Sequence, residues 1–306
     1  MKKYIWGICY GIVLAAFTVY IMLDTFVIPR VYTETTQNSE KSTFAVGNND
    51  SSNTEKISDS TSVTLTDLSY SDENISITVT EYRENDTTIY VADVKVSSAD
   101  YLKTAFAKGS FGKNVTEKTS EIAEDVGAIL AINGDYYGAQ ERGYVIRNGV
   151  LYRSSSQGDG EDLVIYKDGS FEVISENSVS AQFLFESGAQ QCLSFGPALV
   201  VDGEIAVSKT EEVGKAKSSN PRTAIGMIDE LHYVFAVSDG RTSESEGLSL
   251  YQLAEFMQSL GAETAYNLDG GGSSTMVFNG KVINNPTTDG RSIKERRVSD
   301  IVYIGY

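Results

Sequence analysis

Residues 267–275 read Asn-Leu-Asp-Gly-Gly-Gly-Ser-Ser-Thr, and this run restricts the fold more tightly than any other part of the chain. Three consecutive glycines give up side-chain packing and add chain entropy, about 0.5–1 kcal/mol per Gly relative to Ala inside a regular element. A folded chain tolerates that loss where backbone turns sharply or approaches another group closely. What precedes the run narrows the choice. Ser249 and Gln252 have capping-box spacing, Leu250, Leu253, Ala254, Met257 and Leu260 share one helical face, and Gly261 is a natural stop. The order is then helix, short buried strand over Thr264–Leu268, glycine turn, strand. That order puts the turn at a sheet end, where ligands often bind. Spacing alone also admits a plain β-turn. However, the acid ahead of the glycines and the hydroxyls behind them bring together groups suited to polar, anionic or sugar-like ligands.

Strand patterns dominate elsewhere. Ile75–Thr80 and Ile89–Val96 alternate apolar and polar residues, as half-buried strands do. Further strands are expected over Ala128–Asn133, Leu163–Tyr166, Phe171–Ile174, Leu199–Val201, Arg222–Met227, Tyr233–Val237, Ser274–Phe278 and Asp300–Ile304. Asn148-Gly149, Lys167-Asp168-Gly169 and Asn279-Gly280 read as hairpin turns. A second helix is expected over Glu117–Val126. The fold class is α+β: a strand-rich mixed-sheet core with a few helices, preceded by one N-terminal transmembrane helix and a disordered tether.

The N-terminus carries Lys2 and Lys3 ahead of an uncharged run, Ile5–Leu23, of nineteen residues. That length can cross a hydrocarbon core of about 30 Å as a helix. The flanking lysines orient it with the remainder of the chain outside. The run exceeds a usual signal core and no small-x-small site follows, so an uncleaved single-pass anchor in the cell membrane is preferred to secretion after cleavage. Residues 1–30 are the lysine pair and anchor. Residues 31–60, rich in Ser, Thr and Asn, bury too little to offset chain entropy and read as a disordered linker. Residues 61–126 form a strand-rich lead-in, and 127–306 the principal domain. The length outside the anchor supplies a core without disulfides, and Cys192 is the sole cysteine there.

Composition excludes several chemistries. A net charge of −17 disfavours nucleic acid as a partner and a domain lying flat on anionic lipid. The single histidine, His232, sits in a strand pattern, which makes a structural role the simpler reading and leaves no marked nucleophile system. The usual zinc ligand sets are missing. The triple glycine lacks the Lys-Ser/Thr of a P-loop, and no dinucleotide fingerprint opens a helix. Carboxylate and arginine chemistry remains, with metal ligands unknown and a Ca²⁺ ion admissible among oxygen-rich loops although no dedicated cage is visible.

Four polar clusters fall where strands should end: Ala131–Gly138 (AINGDYYG), Ser219–Gly226 (SNPRTAIG), Val237–Arg241 (VSDGR) and the glycine run. Each singly has a plain turn reading. Taken in order, with the helix ending MQSLGAETAYNLDGGGSSTM and the closing RRVSDIVYIGY, they resemble the phosphodiester glycosidase family, which has bacterial members linked to exopolysaccharide. The resemblance runs from about Gly127 to Tyr306, and NLDGGGSST is its specific element.

The resemblance implies hydrolysis of the bond between an anomeric carbon and a phosphodiester in a cell-surface polysaccharide or related glycan. Substrate candidates are teichoic acid, phosphate-bearing capsule and lipid-linked sugar phosphates. In that reaction Arg222 or Arg241 would clamp phosphate, and the amides of Gly270, Gly271 and Gly272, with Ser273 and Ser274, would cradle it. Asp135, Asp239 and Asp269 are the catalytic carboxylate candidates. Asn133 and Asn267 would hold sugar hydroxyls, and Tyr136 or Tyr137 would stack on the ring. The rival reading is a non-catalytic module binding a glycan or phosphopolymer. Convergence of the three aspartates and two arginines on one pocket separates the two.

Overall fold

The computed structural model describes residues 2–34, 64–65, 68–213 and 219–306. Three antiparallel sheets make the core. The largest has nine strands; near its centre lie Thr264–Leu268, Arg222–Asp229, His232–Ser238, Thr87–Val96 and Ile75–Glu84, in that order. A five-stranded sheet carries Met276–Phe278, Leu130–Asn133, Asp300–Ile304 and Leu102–Phe106 as neighbours. A second five-stranded sheet places Val145–Arg147 and Glu161–Tyr166 on either side of Ala189–Leu193. The inner faces of all three share one core, in which Phe235, Tyr266 and Leu268 meet Leu130, Ile132 and Met276, and Leu163 and Leu193.

A helix covers each outer face. Leu250–Ser259 lays Leu250, Leu253, Ala254 and Met257 on the back of the largest sheet, against Ala224, Ala236 and Ala265. Ser249 accepts from Gln252 N–H at 3.1 Å and Gln252 Oε1 accepts from Ser249 N–H at 2.9 Å, completing the expected capping box. The helix stops at Gly261, with φ of 85°. Thr119–Asp125 similarly covers the second sheet through Ile122 and Ala123. The third cover, Ala181–Glu186, was not expected from sequence; it buries Ala181 and Leu184 over six residues, too few for a period to declare itself.

The turns follow their chemistry. Asn148-Gly149 and Asn279-Gly280 take positive φ at both positions, 49° and 72°, then 48° and 72°. Each joins an antiparallel pair, as a two-residue loop requires. At Lys167-Asp168-Gly169 only Gly169 has positive φ, and the turn is wider, closed by Gly169 N–H on Tyr166 O at 2.9 Å.

The segment before residue 127 is part of the same body. Thr87–Val96 pairs with His232–Ser238, and Leu102–Phe106 with Asp300–Ile304. The apolar helix spans Lys2–Phe26, and its stretch Cys9–Phe26 has a mean hydropathy of 1.7 with none of it buried against the rest of the chain. It is long and apolar enough to cross a membrane. The linker expected over 31–60 does not begin at its expected start. Arg30–Glu34 form a strand antiparallel to Ser110–Lys113, the two segments satisfying each other's backbone groups in a separate two-stranded sheet. The remainder of that linker, 35–60, lies outside the described residues.

Candidate active site

Two strand ends from different sheets bring two of the expected aspartates together. Leu130–Asn133 delivers Asp135 and Thr264–Leu268 delivers Asp269. Asn133 fixes their relation: its Nδ2 donates to Asp269 O at 2.6 Å, and its Oδ1 accepts from Thr223 Oγ1 at 2.8 Å and Thr275 N–H at 3.2 Å. Asp135 and Asp269 line a pocket of about 240 Å³ with Asn114, Tyr136, Ser273, Arg296, Arg297 and Ser299.

Asp269 keeps 13% of its side chain exposed. Its Oδ2 accepts from Ser273 Oγ at 2.6 Å and from Arg296 at 3.0 Å, and Arg296 also donates to Ser273 Oγ at 2.6 Å. Burial pushes the Asp269 carboxyl upward, while Arg296 and Ser273 oppose that rise. The Arg296 side chain stays 40% exposed and lines the pocket, with its Nε and Nη2 donating to Asp269, Ser273 and Gly270 O.

Asp135 is anchored from beneath. Its Oδ2 accepts from Arg147 at 2.8 Å and Ser194 N–H at 2.9 Å, and its Oδ1 accepts from Tyr137 N–H at 3.0 Å. The same guanidinium donates to Asp300 Oδ2 at 2.8 Å and 3.0 Å. Burial works against the Arg147 charge, but Asp135 and Asp300 outweigh it and raise the pKa above the ordinary value. Burial, and after it the neighbouring Asp135, pushes the Asp300 carboxyl up. Asp300 Oδ1 is buried without a hydrogen-bond partner. A carboxyl so placed favours its protonated form, which would leave Arg147 balanced by one carboxylate. A Cβ on Gly134 would collide with that oxygen, so glycine is a steric necessity there.

Several expected site residues lie elsewhere. Asp239 is 4% exposed, accepts from Asn285 N–H at 2.8 Å and Asn284 Nδ2 at 3.3 Å, and does not line the pocket. It braces the glycine loop indirectly, because Asn284 Nδ2 also donates to Ser274 O at 3.0 Å. Arg222 is buried, pairs with Glu212 at 2.5 Å and donates to Leu248 O at 2.9 Å. Arg241 donates to Asn220 Oδ1 at 2.9 Å and Thr288 O at 2.6 Å, its guanidinium lying against Gly271. Neither lines the pocket, so neither is placed as its phosphate clamp. Arg222 holds a neighbouring loop, and Arg241 supports the glycine turn from outside the pocket.

The glycine turn is likewise packed inward. A side chain on Gly270 would come within 2.9 Å of Pro221 O, one on Gly272 would strike Thr288, and Gly271 has φ of 63°. Gly271 N–H is spent on Pro221 O at 2.8 Å, and Ser273 and Ser274 N–H close a 3₁₀ turn. Of the phosphate cradle expected of Gly270, Gly271 and Gly272, the Gly271 amide is thus committed within the fold. Ser274 and Asn267 are buried and neither lines the pocket, with Asn267 donating to Gly196 O at 2.7 Å; Asn133 is the staple just described. Tyr137 is buried and stacked on Phe111, whereas Tyr136 is 47% exposed at the pocket. His232 pairs with Asp93 at 2.9 Å on another strand pair, outside the pocket lining. Among the described residues no group of three or more His, Cys, Asp or Glu side chains could hold a metal ion.

Arg296, Arg147 and Asp300 were not singled out from sequence. The paired basics Arg296-Arg297 ahead of the strand Asp300–Ile304 were the available signal, as was a charged Arg147 in an apolar strand beside Asn148-Gly149.

A family model described as phosphodiester glycosidase matches residues 126–305. The SPbeta prophage-derived uncharacterized protein YomE of Bacillus subtilis (strain 168) is 31% identical over 201 residues, covering 64% of this chain and 31% of that protein. The N-acetylglucosamine-1-phosphodiester alpha-N-acetylglucosaminidase of Mus musculus is 29% identical over 183 residues, covering 55% of this chain and 35% of the enzyme. The chain thus spans about a third of the length of these relatives. Among solved structures, the auto-inhibited catalytic domain of the zebrafish N-acetylglucosamine-1-phosphodiester alpha-N-acetylglucosaminidase has the same fold. That match has a TM-score of 0.61 and 23% identity, over 76% of this chain and 83% of that one.

Proposed function

The chain belongs to the phosphodiester glycosidase family, and from that premise we propose that it is a membrane-anchored, extracytoplasmic hydrolase. It cleaves the bond between an anomeric carbon and a phosphodiester oxygen in a cell-surface glycan. The observation that carries this reading is the Asp269–Ser273–Arg296 set facing a pocket shared with Asp135 and Tyr136. A sugar-1-phosphodiester has one negative charge, an apolar ring face and an anomeric carbon that turns cationic as the bond breaks. The pocket offers a partner for each.

Arg296, with the exposed Arg297 beside it, binds the phosphate oxygens by charge-assisted hydrogen bonds. Tyr136 lies along the sugar. Asp269 meets the anomeric centre, where its negative charge stabilises the oxocarbenium-like state and its carboxyl receives or relays the proton of water. Phosphate leaves well without strong acid help, so fixed charge matters more than proton donation. Asp135, paired with Arg147, supports the pocket from below, with its orientation locked by Arg147, Ser194 and Tyr137. The names of the mammalian relatives make N-acetylglucosamine the first sugar to try. The helix Lys2–Phe26, with its lysines on the inner side, anchors the enzyme in the cell membrane.

The test is incubation of the protein with a panel of α-glycosyl-1-phosphodiesters, with and without chelator, followed by assay of free reducing sugar. Release of sugar together with phosphomonoester is the expected result. Saturable binding with no release from any member would overturn the hydrolase in favour of a glycan- or phosphopolymer-binding module. Loss of release with chelator would identify a bound cation such as Ca²⁺.

A further inference from the structure

Asn114 joins the pocket to the membrane helix. Asn114 lines the pocket with Asp135 and Asp269, and its Nδ2 donates to Thr25 O at 3.2 Å and Ile28 O at 3.3 Å. Thr25 belongs to the last turn of the apolar helix, which ends at Phe26. The strand that follows, Arg30–Glu34, pairs with Ser110–Lys113, and Tyr32 packs on Phe111 with ring centroids 5.9 Å apart. The Ser/Thr/Asn-rich segment comes only after this docked strand. The reach of the domain from the helix is therefore set by the short stretch Val27–Pro29 and not by that segment.

Distances then decide what the pocket can meet. A bilayer adds roughly 5–8 Å of headgroup layer on each side of its hydrocarbon core. Asn114 contacts a carbonyl two residues beyond the end of the apolar helix. Ile28 therefore lies within about 3–7 Å of that end at ordinary backbone rise. A pocket of about 240 Å³ therefore has its Asn114 wall at about headgroup height. Arg297, 53% exposed, and Arg296 place two cations in its lining, a local exception to the acidic balance of the chain. A glycan phosphodiester in a wall polymer lies far above this layer. A glycosyl phosphate esterified to a membrane lipid has its phosphodiester inside it.

We infer that the substrate is a lipid-linked glycosyl phosphate, a sugar-1-phosphodiester whose other ester is a membrane-embedded long-chain alcohol, taken from the leaflet that holds the helix. The inference rests on the hydrolase reading above and names the substrate of that site. Water adds to the anomeric carbon, the C1–O bond breaks, the lipid keeps the phosphate as a monoester, and the water proton passes to solvent.

The experiment uses the full chain reconstituted in phosphatidylcholine vesicles. It compares N-acetylglucosaminyl phosphate esterified to a polyisoprenol in the same vesicles with the water-soluble methyl ester. A second protein carries twelve Gly/Ser residues inserted between Ile28 and Pro29. This linker keeps the strand Arg30–Glu34 and the Asp269–Ser273–Arg296 side of the pocket, releases Asn114 from the helix end, and lets the domain float by about 20 Å. The expected result is preference for the polyisoprenyl ester, a fall of tenfold or more in its turnover on insertion, and an unchanged rate on the methyl ester. Equal turnover of both esters, unaffected by the insertion, would show that membrane proximity selects nothing and overturn the inference while sparing the hydrolase. Turnover of neither ester would overturn the hydrolase reading and this inference with it.

Discussion

Asp269 is held by two donors with different duties. Ser273 fixes its rotamer from within the turn, and Arg296 ties it to a charge that also faces the pocket. Replacing Asp269 with Asn preserves shape and the serine contact but removes the charge. We expect turnover of a sugar-1-phosphodiester to fall about 10²–10³-fold, in line with loss of one preorganised electrostatic group, with an unchanged circular dichroism spectrum. Arg296→Lys keeps the charge and loses the planar fork. Here kcat/KM should fall at least about tenfold, chiefly through KM, in steady-state kinetics. At this scale the sequence was partly legible. Asp135 and Asp269 could be found because each follows an apolar strand pattern in a cluster of turn residues. Arg222 and Arg241 occupy equally suggestive clusters, yet their donors are spent on Glu212, Leu248, Asn220 and Thr288. Nothing in local spacing reports such long-range partners.

At the scale of elements, the site depends on two strand ends kept in register by neighbours that have no chemical role. The helix Leu250–Ser259 packs against Ala265 on the strand that delivers Asp269. Removing its cap by Ser249→Ala should cost about 1 kcal/mol, measurable as a shift in the urea midpoint at unchanged slope. Gly134→Ala is a sharper probe, since the new methyl meets the buried Asp300 carboxyl. Overpacking of this kind costs typically about 1–3 kcal/mol, and here it should also reduce activity by displacing the Asp135–Arg147–Asp300 cluster. The helix, its cap and the strand Thr264–Leu268 were readable because a 3.6-residue period and a capping box are local signals. The strand Arg30–Glu34 was not, because its polar composition suits a linker and only pairing with the distant Ser110–Lys113 makes it a strand.

Over the whole molecule, three sheets enclose one apolar core and a seam of buried carboxyls beside it. Asp162 belongs to that seam: it accepts from Ser194 Oγ at 2.6 Å, and burial pushes its carboxyl up to about 8. Its folded pKa thus lies above its unfolded value. Between about pH 4 and 8 the folded state holds a proton that the unfolded state has lost. Stability therefore declines as pH rises through that window, by at most about 1.4 kcal/mol per pH unit for one proton, and Asp300 acts in the same direction. Asp162→Asn should flatten the decline in thermal melts taken across the window. The strand-rich α+β class was evident from alternation and turn residues, whereas this seam was not, since its members come from distant strands.

The central claim is that the pocket works on the anomeric carbon and not on phosphorus. Hydrolysis of an N-acetylglucosaminyl phosphodiester in ¹⁸O-enriched water, followed by mass spectrometry of both products, tests it directly. Cleavage of the C1–O bond puts the label in the released sugar and leaves the phosphomonoester unlabelled, as this account predicts. Label in the phosphate, with an unlabelled sugar, would mean attack on phosphorus and would contradict the roles given to Asp269 and Asp135.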